Sequence, residues 1–188
     1  MYFFKPKISV CLGSGNGFIP RIMWTCLKDL KYEGFDTKDS RVILVDAVNG
    51  VNGAPDWTDE DSFYRTNFNS EWLHTTTEKA YYEYFIKRDM KIDMLWIDAD
   101  HSLEGVKKDF DLYSQIISEN GIIMVHDTDK NYVDNFVEIE NHEGDDLSGP
   151  SEFIKTIDKR KFEVINFFNY KEKSEHPTSS GLTIVRKK

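Results

Sequence analysis

The chain contains no run approaching the roughly 20 apolar residues that a membrane span needs, so no segment is a candidate transmembrane helix. Met1 to Lys7 lacks the long apolar core of a secretion leader, and the expectation is a cytoplasmic protein. Cysteine is scarce: Cys11 and Cys26 are the only two. They form no disulfide framework and no metal-ligand spacing, which points to buried thiols in a reducing compartment. Positive charge is also short. Lys and Arg total 24 against 33 Asp and Glu, a net charge of −9. That balance, with no basic run, argues against generic binding to nucleic acid or to an anionic membrane. There is no internal repeat and no low-complexity stretch, and 188 residues suffice for one domain, 1–188, with a sizeable core.

What the chain does have is centred on Ile92 to Thr128. Ile92 to Ile97 is a short apolar run that suits a buried strand, and it ends in Asp98-Ala99-Asp100-His101. Ile122 to Val125 reads the same way and ends in His126-Asp127-Thr128. Between them Leu103, Val106, Phe110, Tyr113 and Ile117 recur at helical spacing, with Ser102 as a cap and Asn120-Gly121 as a stop. Strand, crossover helix and strand make a right-handed βαβ unit with parallel strands. Both strands then end on one edge of the sheet, where ligands of open α/β sheets bind. Asp98, Asp100 and Asp127 would repel one another there. A cation, His101 or the pair Lys107 and Lys108 would offset them.

The rest of the chain extends that sheet. Ile8 to Leu12 is a strand running into Gly13-Ser14-Gly15-Asn16-Gly17, and Ile19 to Leu30 is a helix with Pro20 in its first turn. A strand, a glycine-rich turn and a helix suit a nucleotide cofactor, because glycine lets backbone approach a ligand and the helix start offers free N–H groups. A plain tight turn is the weaker alternative for those letters. Arg41 to Asp46 is the second strand, and an acid at its end can accept ribose hydroxyls. Ala47 to Asn69 is a long turn-rich loop with Trp57, Phe63, Tyr64 and Phe68, either a pocket wall or a loop pinned by its aromatics. Glu71 to His74 is a third strand, followed by a capping box, Thr75 to Glu78, and a helix to Met90. Asp129 to Asp146 is acidic, a solvated face or a lid over the site. Gly149 opens a further helix, and Phe162 to Phe168 and Gly181 to Arg186 are consecutive strands that must pair antiparallel. The expected fold is α/β, Rossmann-like and doubly wound: a mainly parallel seven-stranded sheet with an antiparallel C-terminal hairpin strand.

With these residues in place, the chain resembles the class I S-adenosylmethionine-dependent methyltransferases. Ile97-Asp98-Ala99-Asp100-His101-Ser102-Leu103-Glu104-Gly105-Val106, followed by His126-Asp127, is similar to the I-D-x-D-H-S-x-E-G-V motif of small O-methyltransferases acting on sugars and small molecules. The resemblance implies S-adenosylmethionine as cofactor, held by Gly13, Ser14, Gly15, Gly17, Asp46, Ala47, Thr76 and Asp98. It implies Mg²⁺ or Mn²⁺ on Asp98, Asp127 and Thr128, which would bind and acidify an acceptor hydroxyl. It implies catalytic roles for Asp98 and for His101 as general base. The acceptor would be a small molecule or sugar. Cys11-Leu12 stands where family members carry an acid for the cofactor's amino group, and Thr128 where catechol-type enzymes carry an Asn. Little chain precedes the first strand, so the site is expected to be open or completed by a second copy of the chain. Two alternatives stay open. An NAD-dependent oxidoreductase is opposed by the closing hairpin and the lack of a Tyr-x-x-x-Lys pattern; a non-catalytic cofactor-binding domain is favoured by Cys11.

Overall fold

The computed structural model describes residues 1–13, 18–47, 70–130, 148–168 and 180–188. Seven strands form one sheet: β1 (Ile8–Leu12), β2 (Arg41–Asp46), β3 (Ser70–His74), β4 (Ile92–Ile97), β5 (Ile117–His126), β6 (Phe162–Phe167) and β7 (Leu182–Lys187). Their order is β3-β2-β1-β4-β5-β7-β6. The first five run parallel, and β7 pairs antiparallel with both β5 and β6. The fold is the Rossmann-like α/β sheet expected, with its antiparallel hairpin. Among the described residues, no helix is long and apolar enough to cross a membrane.

Side-chain alternation divides the core. Val10 and Leu12 of β1, Ile43 and Val45 of β2, Leu95 and Ile97 of β4, and Ile123 and Val125 of β5 face one layer. That layer is closed by helices α2 (Thr77–Ala80), α3 (Leu103–Tyr113) and α4 (Gly149–Thr156), with Phe85, Val106, Phe110, Tyr113 and Phe153 as the main contacts. Cys11, Val42, Leu44, Met94, Trp96, Ile122 and Met124 face the other layer, against Met23, Trp24 and Leu27 of α1 (Phe18–Tyr32). Cys11 is therefore an interior residue of the α1 layer, fully buried, and its thiol lies 3.0 Å from the Gly13 carbonyl. Burial pushes that thiol well above its ordinary range. Both cysteines are free.

Three local expectations are corrected. Helix α3 stops at Tyr113 and tightens into a 3₁₀ turn, Ser114–Ile116, well before Asn120-Gly121. Ile117 is drawn into β5, where it pairs with Ile92. The register then jumps to Met94 with Ile122, so Ser118 to Gly121 bulge within the strand rather than ending a helix. The start of α2 is capped by Thr76, whose hydroxyl accepts the Lys79 N–H at 3.3 Å. A capping box needs its Glu three residues after the cap; Glu78 is only two after it and pairs with Lys108 at 3.6 Å instead. Beyond Ala80 the helix widens to a π turn, Tyr81–Phe85, and tightens to a 3₁₀ turn, Ile86–Arg88, before Asp89 ends it with φ 46°.

The strand starts at the opposite edge are held by a residue with no obvious signature. Asp93, partly buried on β4, accepts the N–H groups of Lys7 and Ile8 at 2.9 and 3.0 Å and the Ser118 hydroxyl at 2.8 Å.

Candidate active site

The carboxyl ends of β1, β2, β4 and β5 carry the predicted site residues. Gly13 leaves β1 with φ +78°, and a Cβ there would stand 1.9 Å from the Asp98 carbonyl oxygen. Only glycine lets the ends of β1 and β4 approach so closely. Asp46, 8% exposed, ends β2, and its carbonyl accepts the Thr75 N–H at 3.0 Å. Ala47 is exposed beside it. Thr76 is exposed at the start of α2 and is occupied as its cap. Ser14, Gly15 and Gly17, the aromatic loop, and the acidic segment lie outside the described residues, apart from Asp129 and Lys130.

The second half of the site is a cluster of two acids and two imidazoles. Trp96 pairs with Met124 across β4 and β5, so Asp98 and His126, one step beyond Ile97 and Val125, come side by side. His101 Nε2 lies 3.1 Å from Asp98 Oδ1 and 3.5 Å from Asp127 Oδ2. His126 Nδ1 lies 3.3 Å from Asp98 Oδ1 and 3.1 Å from Asp127 Oδ1. Trp96 Nε1–H points at Asp98 Oδ2 from 3.4 Å, and its ring is tilted against His126 with centroids 5.2 Å apart. The far nitrogen of His126 meets the Ser180 hydroxyl at 3.0 Å. Asp127 holds its place with φ 55°, a left-handed conformation in a non-glycine residue.

His101 is fixed through its backbone. The Gly149 N–H donates to its carbonyl at 3.1 Å, and a Cβ on Gly149 would sit 2.2 Å from that oxygen. Asp100 turns away and accepts the Ser102 N–H at 2.9 Å, while Ser102 caps α3 through Gly105 N–H at 3.0 Å. Thr128 is 2% exposed, and its hydroxyl meets that of Thr183 at 3.0 Å. The residue at the catechol-type Asn position is thus tied to β7.

Charge in the cluster is balanced internally. Burial alone would raise Asp98, but hydrogen bonds from His101 and His126 outweigh it and hold the carboxyl below its ordinary value. The hydrogen bond to Asp98, opposed by burial and aided by Asp127, raises His101 above the usual imidazole range. Burial would lower His126, yet its bonds to Asp127 and Asp98 push it up to about 10. One ligand atom each from Asp98, His101 and Asp127 lie within 4.8 Å of one another. Two carboxylate oxygens and an imidazole nitrogen at that separation are a workable donor set for a divalent cation.

The match to known proteins is decided by residues 10–128, which fit the sequence model of a methyltransferase domain. The chain belongs to that methyltransferase family. The matched segment runs from β1 through the Asp98 and Asp127 strand ends, so it includes both halves of the site. The family match removes the oxidoreductase alternative. No curated protein sequence matches the domain significantly. Many solved structures share its fold at low identity, three methyltransferases among them. An O-methyltransferase from Bacillus cereus in complex with SAH is 15% identical with a TM-score of 0.64, over 99% of this chain and 76% of that one. The O-methyltransferase TomG from Streptomyces achromogenes, involved in tomaymycin synthesis and in complex with SAM, is 11% identical with a TM-score of 0.63, over 98% and 74%. An SAH-bound methyltransferase from Podospora anserina is 18% identical with a TM-score of 0.59, over 98% and 73%.

Sequence reasoning placed His126 beside Asp98 and His101 but gave it no role, and it missed Trp96 and Ser180 as members of the cluster. The signal for His126 was its place one residue past Val125 in a strand paired with β4. Ser180 comes from the far side of the hairpin and carries no local signal.

Proposed function

We propose that this methyltransferase domain moves the methyl group of S-adenosylmethionine to a hydroxyl oxygen of a small molecule or sugar, assisted by a divalent cation. The observation that carries the reading is the convergence of Asp98, His101 and Asp127 at the strand ends, with Gly13 and Asp46 alongside on β1 and β2. When bound, the sulfonium supplies an activated methyl group and the cation acidifies the acceptor hydroxyl.

This chain's residues would act as follows. Asp46 accepts the ribose hydroxyls, with Ala47 and Thr76 near the adenosine. Gly13 gives the ligand a side-chain-free floor beside Asp98. Asp98 and Asp127 would hold Mg²⁺ or Mn²⁺ at the strand ends, where the cation would supply Lewis acidity toward an acceptor hydroxyl. His101 would serve as base on Nε2 only once a bound cation has displaced the proton that Nε2 shares with Asp98. Thr128, committed to Thr183, contributes by fixing the strand end next to Asp127.

A second reading of His101 is favoured by the short span of the three ligand atoms. There its nitrogen is the third ligand, which shifts preference from Mg²⁺ toward Mn²⁺. Calorimetry with Mn²⁺ on His101→Ala separates the two: a ligand role predicts lost cation affinity, a base role predicts retained affinity with lost turnover.

The test of the main reading is titration with S-adenosylhomocysteine (SAH), with and without Mg²⁺ or Mn²⁺, on the wild type and on Asp46→Ala. Micromolar binding that the variant loses supports the reading. Absence of binding in the wild type rejects it.

A further inference from the structure

Asp109 is a carboxylate that the chemistry above does not use. It sits on α3, is 1% exposed, and accepts the Thr77 hydroxyl on Oδ1 at 2.5 Å. Its other oxygen is buried with no hydrogen-bond partner among the described residues. Burial, relieved in part by Thr77 and Lys108 and worsened by Asp100 and Glu78, pushes the carboxyl up to about 6. An ionisable group in such a place is costly, and an apolar side chain would fill the space between α3 and α2 with no such cost.

What the carboxylate gains is a grip on one residue. Tyr113, one turn further along the same face of α3, donates its hydroxyl to the Thr77 carbonyl at 2.8 Å. Thr77 is thus held at both its hydroxyl and its carbonyl by one helix. It follows Thr76, the cap of α2, and Thr75, whose N–H is bonded to the Asp46 carbonyl. The chain of contacts runs Asp109, Thr77, Thr75, Asp46. Helix α3 itself begins directly after His101, at its cap Ser102. One rigid helix therefore carries the acidic cluster at its start and the clamp on the β2–β3 end along its side.

We propose that Asp109 is a positioning residue for the cofactor: through Thr77 it sets the Thr75–Thr77 segment against the end of β2, and so shapes the adenosine side of the site. This rests on the methyl-transfer reading, which places the ribose of S-adenosylmethionine at Asp46. Asp109 touches neither cofactor nor acceptor in it.

The test is calorimetric titration of SAH into the wild type, Thr77→Val, Asp109→Leu, Asp109→Asn, Thr77→Ser and Asp93→Asn, each checked by circular dichroism and thermal melting. Thr77→Val and Asp109→Leu remove the hydrogen bond and are expected to weaken SAH binding by about tenfold or more. Asp109→Asn and Thr77→Ser keep an acceptor and a hydroxyl, and are expected to stay within about threefold of the wild type. Asp93→Asn loosens the strand starts at the far edge, and is expected to lower the melting temperature without changing SAH affinity. Folded Thr77→Val or Asp109→Leu protein that binds SAH like the wild type would overturn the proposal. So would an equal loss in Asp93→Asn, which would reduce the effect to general destabilisation, or failure of both conservative variants to rescue. A wild type that binds no SAH would instead reject the methyl-transfer reading, and this inference with it.

Discussion

His126 Nδ1 stands 3.1 Å from Asp127 Oδ1, so the two neighbours that end β5 form an ion pair across a backbone turned left-handed at Asp127. The pair makes the cluster self-neutralising: the imidazoles supply the positive charge that the acids require. A cation entering between Asp98 and Asp127 must compete with those protons.

His126 is raised to about 10 and His101 is raised above its ordinary value. A raised imidazole stabilises the fold fully below its unfolded value near 6.5, and that contribution is lost as pH rises through the folded value. The melting temperature should therefore decline from about pH 6.5 toward pH 10. His126→Gln should flatten the upper part of that decline. In buffers of different ionisation enthalpy, Mn²⁺ binding near neutral pH should release protons.

Asp109 behaves in the opposite sense. Its carboxyl is raised from 3.8 to about 6, so the folded state binds the proton more tightly than the unfolded chain. Stability is greatest below the ordinary value and falls as pH rises through the window from 3.8 to about 6. Asp109→Asn mimics the protonated form. Chemical denaturation should find it more stable than the wild type at pH 7, by about 2 kcal/mol, with the gap closing near pH 4.

Removing the Asp98 charge should separate cation from cofactor. Asp98→Asn keeps the shape and leaves two imidazoles facing one acid. Mn²⁺ affinity by calorimetry should fall by about tenfold or more, while SAH, for which Asp98 is one expected contact of eight and its amide keeps the same shape, still binds. The loss of the ion pairs should cost the metal-free fold about 1–3 kcal/mol near neutral pH.

Backbone strain at Asp127 gives a paired comparison. Asp127→Gly and Asp127→Ala both remove the carboxylate, and both should abolish tight Mn²⁺ binding. With φ 55° the alanine variant bears the left-handed penalty and glycine does not. Asp127→Gly should therefore be the more stable of the two by about 1 kcal/mol in denaturant titrations.

The edge bearing the site was legible because its signals are local. Two apolar runs ending in acids, with a helical stripe between them, leave little choice but a βαβ unit, and the Phe162 and Gly181 strands with no intervening helix had to pair antiparallel. The end of α3 was not legible. Asn120-Gly121 is a strong stop signal, but pairing of Ile117 with Ile92 pulled the strand start forward and left the stop inside a bulge. The α2 cap was off by one residue because Thr75, Thr76 and Thr77 are equivalent as letters. Tertiary contacts choose among them: Thr75 bonds to Asp46, Thr76 caps, and Thr77 goes to Asp109. Asp93, Asp109 and Ser180 escaped because their partners lie on elements distant in sequence.

The central claim is that one sheet edge holds both the methyl donor and a cation-bound acceptor. The most direct measurement is SAH calorimetry on the wild type, Asp46→Ala and Asp98→Asn, with and without Mn²⁺. The expected result is micromolar SAH binding that Asp46→Ala loses and Asp98→Asn keeps, with Mn²⁺ binding that only Asp98→Asn loses. SAH binding unaffected by Asp46→Ala, or no SAH binding to the wild type at all, would contradict it.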